Sequence, residues 1–482
     1  MHSKYSFLLV VSLFCLYNLT NNVTVSAAEK DVALIYATSN QQLNQDVQTL
    51  YEMLKGYTKV DVMPIEAVHE KTLHSYNRIV VISSHSVLIS KEALLELNQF
   101  QGPAVVIGEN VLQLEHFAQW QEGDIIKLRA IGEHVLENPI EWKSIQPSSN
   151  SETVEVASTL NKEYPFIVKA QRKNWSYIGN FIYTNSMQYE WPSIINRLLQ
   201  LPEPIKHQTF IVLTDINMET DVAKLKSVVT QFTEKGIPIS LEVTPIDIAE
   251  DGETIYYLHN NKKLFNYLQK LQKEGFPFIL SSTSIQAEKS LDYLAFRGIY
   301  PILNNGNSTI FTGIVQQGNN QIYQSQNENQ TMYPLTVENI ADTKKINPLF
   351  PVEQKIKLLL KAPGSIIGIP YPAYLDASYV QELVGFLKGL PQLDFLDFRK
   401  TKQEVKTNHI SITQTEYGEQ NIKLSFSNTD RLKILFEERP FELVLWMIVL
   451  TVSMFVMLFF INTFRLRITL RKRLFEERKT NG

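Results

Sequence analysis

The stretch from Thr209 to Ile246, TFIVLTDINMETDVAKLKSVVTQFTEKGIPISLEVTPI, decides how the chain is read. Phe210 to Leu213 is an unbroken apolar run that ends in Thr214-Asp215. Behind it, Val222, Leu225, Val228, Val229 and Phe232 recur at helical spacing, so one face of a helix is apolar. Gly236 stops that helix, and Ile237 to Val243 supplies a second apolar strand. The pattern predicts a strand–helix–strand unit with an acidic residue at the carboxyl end of its first strand. Parallel α/β folds and barrels place their ligands at that end.

Strand and helix patterns continue on both sides. From Asp31 to about Asn138, the segments DVALIYAT, KVDVMPI, RIVVISS and PAVVIGEN read as strands, with a helix over Gln42 to Leu54. This alternation predicts a doubly wound α/β domain over 29–138, similar to flavodoxin-like or glutamine-amidotransferase-like domains. The Ala37-Thr38-Ser39-Asn40 loop is a faint, glycine-free version of a phosphate loop. Residues 139–205 read as a β-rich connector, with VEVAST, PFIVKAQ and WSYIGNFIY as strands. Over 206–400, FIVLTDI, ISLEVTPI, FPFILSS, GIYPILNN, TIFTGIV, SIIGIPYPAYL and LDFLDF supply seven strands, enough for an irregular (β/α) barrel. Gln316 to Gln330 reads as a long turn or exposed hairpin, and 401–440 holds a juxtamembrane β element.

The ends of the chain carry topology. Lys4, the apolar run Phe7 to Leu16 and Val25-Ser26-Ala27 form a signal-peptide pattern over 1–28. Cys15, the chain's one cysteine, falls inside that run, so a cleaved chain has no thiol for disulfides, catalysis or metal binding. Leu443 to Ile461 bears no charge and predicts one transmembrane helix over 441–463, with Trp446 near its outer end. Arg465, Arg467, Arg471, Lys472 and Arg473 begin a basic tail over 464–482. The positive-inside rule makes that tail cytoplasmic and the large N-terminal part extracellular, a single-pass protein of the cell membrane. A net charge of −4 over 482 residues gives no sign of nucleic-acid binding.

The Thr209–Ile246 unit, with its "KGIPISLEVTPI" segment and the barrel-like succession behind it, resembles the polysaccharide deacetylase (NodB-like) superfamily. The likeness is to a deacetylase-like branch found in bacterial exopolysaccharide gene clusters, and it covers roughly 190 residues. The family resemblance implies one divalent metal that polarises an amide and activates water, an aspartate base and a histidine acid. It places the base and metal aspartates at Thr214-Asp215, the two metal histidines at Ser281 and Ile285, and the acid histidine near Tyr371-Pro372. Threonine cannot serve as the base, and no histidine lies between His259 and His409. The resemblance therefore implies a catalytically degenerate protein with no cofactor and no metal. It also implies a role in exopolysaccharide biosynthesis, modification or export, with a cell-surface polysaccharide and a membrane glycosyltransferase as partners.

Two other readings stay open. Asp215 and Glu242 at the first two strand ends could serve as the paired carboxylates of a glycoside hydrolase, with Asp247, Asp394 and Asp397 nearby in sequence or on the last strand. Alternatively Asp215 caps the following helix or holds its loop, and the exterior part is a non-catalytic interaction module. A binding groove would comprise Thr214, Ser281, Tyr371 and Asp397, with Tyr374, Tyr300 and Phe276 offering rings to sugar faces. His207 and His259 read as ordinary structural residues.

Overall fold

The computed structural model describes residues 30–480 apart from 39–41, 172–173, 185–186, 203–205, 249–254, 283–285, 318–320, 328, 341–346 and 439. The expected signal peptide, Ser39-Asn40 and Ile285 lie outside the described residues. The chain is mixed α/β and falls into two compact units. Met1–Leu213, Ser227–Ile239 and Val315–Asp397 form the first, and Thr214–Lys226, Ser240–Ile314 and Phe398–Gly482 the second.

The first unit opens with β1 (Lys30–Ala37), β2 (Val60–Pro64), β3 (Tyr76–Ser83) and β4 (Ala104–Gly108). It continues through β5 (Gln121–Ile131), β6 (His134–Gln146), β7 (Glu152–Ser158), β8 (Glu163–Lys169) and β9 (Trp175–Ile178). All nine join one sheet in the order β2-β1-β3-β4-β9-β8-β7-β5-β6. The β1–β2, β1–β3, β3–β4 and β4–β9 pairs are parallel, and the rest are antiparallel. Val32 to Ile35 are wholly buried, as expected of a strand covered on both faces. The helix α1 (Gln45–Lys55) starts where the Asn44 side chain accepts the Val47 N–H, and it buries Val47, Leu50, Met53 and Leu54. The helix α2 (Lys91–Gln99) is capped in the same way by Ser90. The sequence suggested a boundary at 139, but β6 runs through that position. A fifth parallel strand, β9, comes from the expected connector because Trp175 and Tyr177 pack into the same core as Ala104 and Val106 of β4. The helix α3 (Glu190–Leu198) follows, anchored by Trp191, whose buried indole N–H donates to the Ile182 carbonyl.

A second sheet is curled into a half-barrel. Its members are β10 (His207–Ile216), β11 (Ile239–Val243), β14 (Phe278–Leu280), β15 (Leu303–Asn304), β16 (Gly313–Gln317), β17 (Ser325–Asn327), β18 (Gln330–Leu335), β19 (Ile367–Pro372) and β20 (Leu393–Phe395). The order is β17-β18-β16-β15-β14-β11-β10-β19, with β20 beside β10. Each of the seven strand segments expected over 206–400 contributes to it. In the second unit β11, β14, β15 and the start of β16 pair in parallel, with Glu242 opposite Ile279 and Leu280 opposite Asn304. The helix α4 (Val222–Glu234) joins β10 to β11, and α5 (Lys262–Lys273) and α6 (Ala287–Phe296) flank β14 in sequence. A short antiparallel pair, β12 (Ile246–Ile248) with β13 (Ile255–Tyr257), rises after β11.

In the first unit α7 (Leu349–Leu359) and α8 (Ser378–Lys388) flank β19 in sequence. The second unit ends in a three-stranded antiparallel sheet of β21 (Gln403–Lys406), β22 (Ile410–Gln414) and β23 (Gln420–Leu424). The helix α9 (Asn428–Glu438) then precedes α10 (Pro440–Thr480). Within α10, Val444–Arg473 is, among the described residues, the one helix long and apolar enough to cross a membrane, and none of it is buried. The helix runs without a break through the expected basic tail as far as Thr480.

Candidate functional site

Four of the residues singled out in the sequence meet at the carboxyl ends of β10, β11 and β14, all within the second unit. The ladder continues past the strand tips: Thr244 N–H donates to Ile216 O (2.9 Å), Ser281 N–H to Val243 O (2.9 Å) and Asn305 N–H to Leu280 O (3.0 Å). These bonds hold the loops that follow each strand in a fixed register.

Asp215 stands at the tip of β10 with φ of +60°, a left-handed backbone that few residues other than glycine adopt. Its side chain is exposed, and the Thr214 hydroxyl donates to its carboxylate at 3.1 Å. The Thr220 hydroxyl donates to its carbonyl at 3.2 Å. Helix capping falls instead to Asp221, whose carboxylate accepts the N–H groups of Ala223 (2.8 Å) and Lys224 (3.4 Å). Of the expectation that Asp215 caps α4 or holds its loop, the capping half is corrected, and the exposed Asp215 carboxylate accepts from the Thr214 hydroxyl.

Glu242 is the centre of the network. It lies between the buried Leu241 and Val243 and is itself half-buried. The Asn305 amide donates to it at 2.5 Å and also to the Ser281 hydroxyl at 3.0 Å. The Asn305 carbonyl accepts the Ser282 N–H at 3.3 Å. Asn305 thus links the loops after β14 and β15, which approach so closely that a Cβ on Gly306 would come 2.4 Å from the Ser282 carbonyl oxygen. Burial pushes the Glu242 carboxyl up from its ordinary range, the Ser281 and Asn305 hydrogen bonds pull it back, and the Asp215 charge raises it further. The result is two unlike carboxylates that feel each other's charge, one exposed and one half-buried, with amide and hydroxyl groups around them.

The other acidic candidates and Tyr371 belong to other strands and their following loops. Tyr371, in β19 of the first unit, is fully buried, and its hydroxyl donates to the Asp376 carbonyl at 2.9 Å. Its ring packs edge-on against Phe232 in a core, so it presents no face to a sugar. This corrects its place in the expected groove. Asp397 is half-buried after β20 of the first unit, and Asp394 is exposed within that strand. Asp247 is exposed in β12. His207 is buried with its Nδ1 3.0 Å from the Ser365 hydroxyl, and burial lowers its pKa. The His259 ring lies 2.7 Å from the Tyr293 hydroxyl.

The donor set does not fit the metal that the deacetylase resemblance implies. Asp215 is present, but a serine occupies 281 where a histidine would be needed. Among the described residues no three His, Cys, Asp or Glu side chains are grouped to hold a metal ion. Asn305 is the residue that sequence reasoning missed. Its one signal was the Asn304-Asn305-Gly306 run at the end of an expected strand, the same position that Asp215 and Ser281 take on theirs.

No family model matches the chain. It is 23% identical over 575 aligned positions to the uncharacterized protein YdaL of Bacillus subtilis (strain 168), an alignment that covers 98% of this chain and 99% of that one. Among solved structures, a β-galactosidase from the psychrophilic Marinomonas ef1 is similar over 36% of this chain and 29% of its own. The identity there is 14% and the TM-score 0.25, too low to support an inference about fold or activity.

Proposed function

We propose that the chain is a membrane-held, exterior polysaccharide-binding protein of deacetylase-like ancestry that works without the family's metal chemistry. Its N-terminal sheet would be a doubly wound, flavodoxin-like domain, and its half-barrel a deacetylase-type barrel whose mouth receives a cell-surface glycan beside a membrane glycosyltransferase. One observation carries the reading: Thr214, Asp215, Glu242, Ser281 and Asn305 converge at the carboxyl ends of adjacent strands. Carboxylate, amide and hydroxyl groups held in fixed register suit a ligand rich in hydroxyls, which needs donors and acceptors in equal measure. Calorimetric titration of the detergent-solubilised chain with acetylated and deacetylated amino-sugar oligomers tests it. Binding should weaken about tenfold or more in Asn305→Ala, on the scale of one hydrogen bond to a charged group. Turnover of acetylated oligomers with added zinc or cobalt, abolished by Asp215→Ala, would overturn the metal-free reading.

A second reading is favoured by the Glu242 environment alone. A carboxyl pushed up by burial beside a solvated one is the acid–base division that glycoside hydrolysis uses. In that case Glu242 would protonate the leaving oxygen and Asp215 would act on the opposite face. Release of reducing ends, lost in both Glu242→Gln and Asp215→Asn, would select this reading over pure binding.

A further inference from the structure

His409 lies just before β22, and its ring reaches two helices of the second unit. Its Nδ1 is 3.0 Å from Asp292 Oδ2 on α6, and its Nε2 is 3.8 Å from Asp430 Oδ2 on α9. The ring stacks on Phe426 at 5.5 Å and 28°, and Phe426 meets Phe296 of α6 edge-on at 6.0 Å. Asp292 and Phe296 are four residues apart, so one face of α6 supplies both contacts. Asp430 also closes the start of α9: its carboxylate accepts the Ser427 N–H (2.9 Å) and the Ser427 hydroxyl (2.5 Å). The junction with the apolar helix α10 follows directly after α9.

A neutral imidazole carries one N–H and one lone pair. With a carboxylate facing each ring nitrogen, only the imidazolium satisfies both. In the neutral ring one lone pair confronts a carboxylate oxygen, and one of the two contacts becomes repulsive. We propose that His409 is a proton-operated latch that ties the juxtamembrane helix α9 to α6 when charged and releases it when neutral. Because α6 is the helix that follows β14 in sequence, the latch connects it to α9, the helix that precedes the apolar helix α10.

The surroundings support such a titration. Glu288, Lys289 and Asp292 from α6, Tyr257 from β13, and Asp430 and Lys433 from α9 line, together with His409, a cavity of about 400 Å³. The ring is 31% exposed, so protons reach it from solvent. The Asp292 hydrogen bond and the Asp292, Asp430 and Glu288 charges raise the His409 pKa, against a smaller opposing effect of burial. A histidine with a raised folded pKa contributes fully below the ordinary imidazole range, and the contribution is lost as pH rises through the folded value. Burial also raises Asp292, so the latch weakens again in acid as that carboxylate takes a proton.

Hydrogen exchange of the 428–438 segment, followed by mass spectrometry on the full chain in detergent micelles, tests the latch. After correction for intrinsic rates, the segment should exchange about tenfold faster at about pH 9 than at about pH 6. His409→Gln should exchange fast at both, with the pH step gone. Asp292→Asn should shift the step to lower pH, and it serves as the test if the histidine variant fails to fold. Wild-type exchange that is equal at the two pH values, or a step that survives in His409→Gln, would overturn the proposal.

Discussion

Glu242 shows how much depends on a single amide. Its carboxylate is half-buried, and the Asn305 amide donates to it at 2.5 Å. In Asn305→Ala the charge keeps its burial and loses that donor, while the Ser282 N–H and the Ser281 hydroxyl each lose a partner as well. The variant should be destabilised by about 1–3 kcal/mol, read from its urea midpoint. Asn305→Asp would set a second carboxylate against Glu242 and should cost more. The pH dependence of Glu242 has a definite sign. Its folded pKa is raised, so between the ordinary glutamate value and the folded one the native state binds more protons than the unfolded state. Stability from this position therefore falls as pH rises through that window. Glu242→Gln removes the dependence while keeping a group that Asn305 can bond. Melting curves should show it gaining on the wild type from acid toward neutral pH, and a constant difference would contradict the burial argument.

Single elements are set by local rules that the sequence displays with uneven clarity. The helix α4 could be read from its apolar spacing, but its cap could not. Three acidic side chains, Asp215, Glu219 and Asp221, precede it, and only backbone geometry picks Asp221. Asp221→Ala should cost about 1 kcal/mol by chemical denaturation, a typical loss for a helix cap. At Gly368 in β19 a Cβ would come 2.4 Å from the Pro334 carbonyl oxygen, and backbone cannot swing aside as a long side chain can. Gly368→Ala should therefore destabilise by about 1–3 kcal/mol, the range for forced overpacking. The same contrast explains what was legible. The half-barrel strands were visible because each is a short, buried apolar run bounded by turns. The pairing of β9 with β4 was not, because sheet neighbours distant in sequence leave no periodic trace. Of the site, Asp215, Glu242 and Ser281 could be found from strand ends. Asn305 needed the register that sets β15 beside β14, and Tyr371 was misplaced because a strand-end position does not say which face a ring takes.

For the whole molecule the helix α10 is the decisive element, since its apolar surface is exposed over a length that water does not tolerate in a monomer. Val444–Arg473 is long and apolar enough to cross a bilayer, and under the proposed membrane-held reading the charge that follows would set its direction. Arg465, Arg467, Arg471, Lys472 and Arg473 lie within the distance over which flanking cations govern insertion, whereas the acidic residues farther along count for little. We propose from that asymmetry that the tail is cytoplasmic and the two units exterior. Two measurements check this. The full chain should stay with membranes through alkaline carbonate extraction, whereas a chain ending before Pro440 should be released. Protease added to intact cells should digest the exterior units and leave a tag at the C-terminus intact, because the bilayer shields it. If the tag were cleaved in intact cells, the carboxyl ends of β10, β11 and β14 would face the cytoplasm, and a surface glycan could not be their ligand.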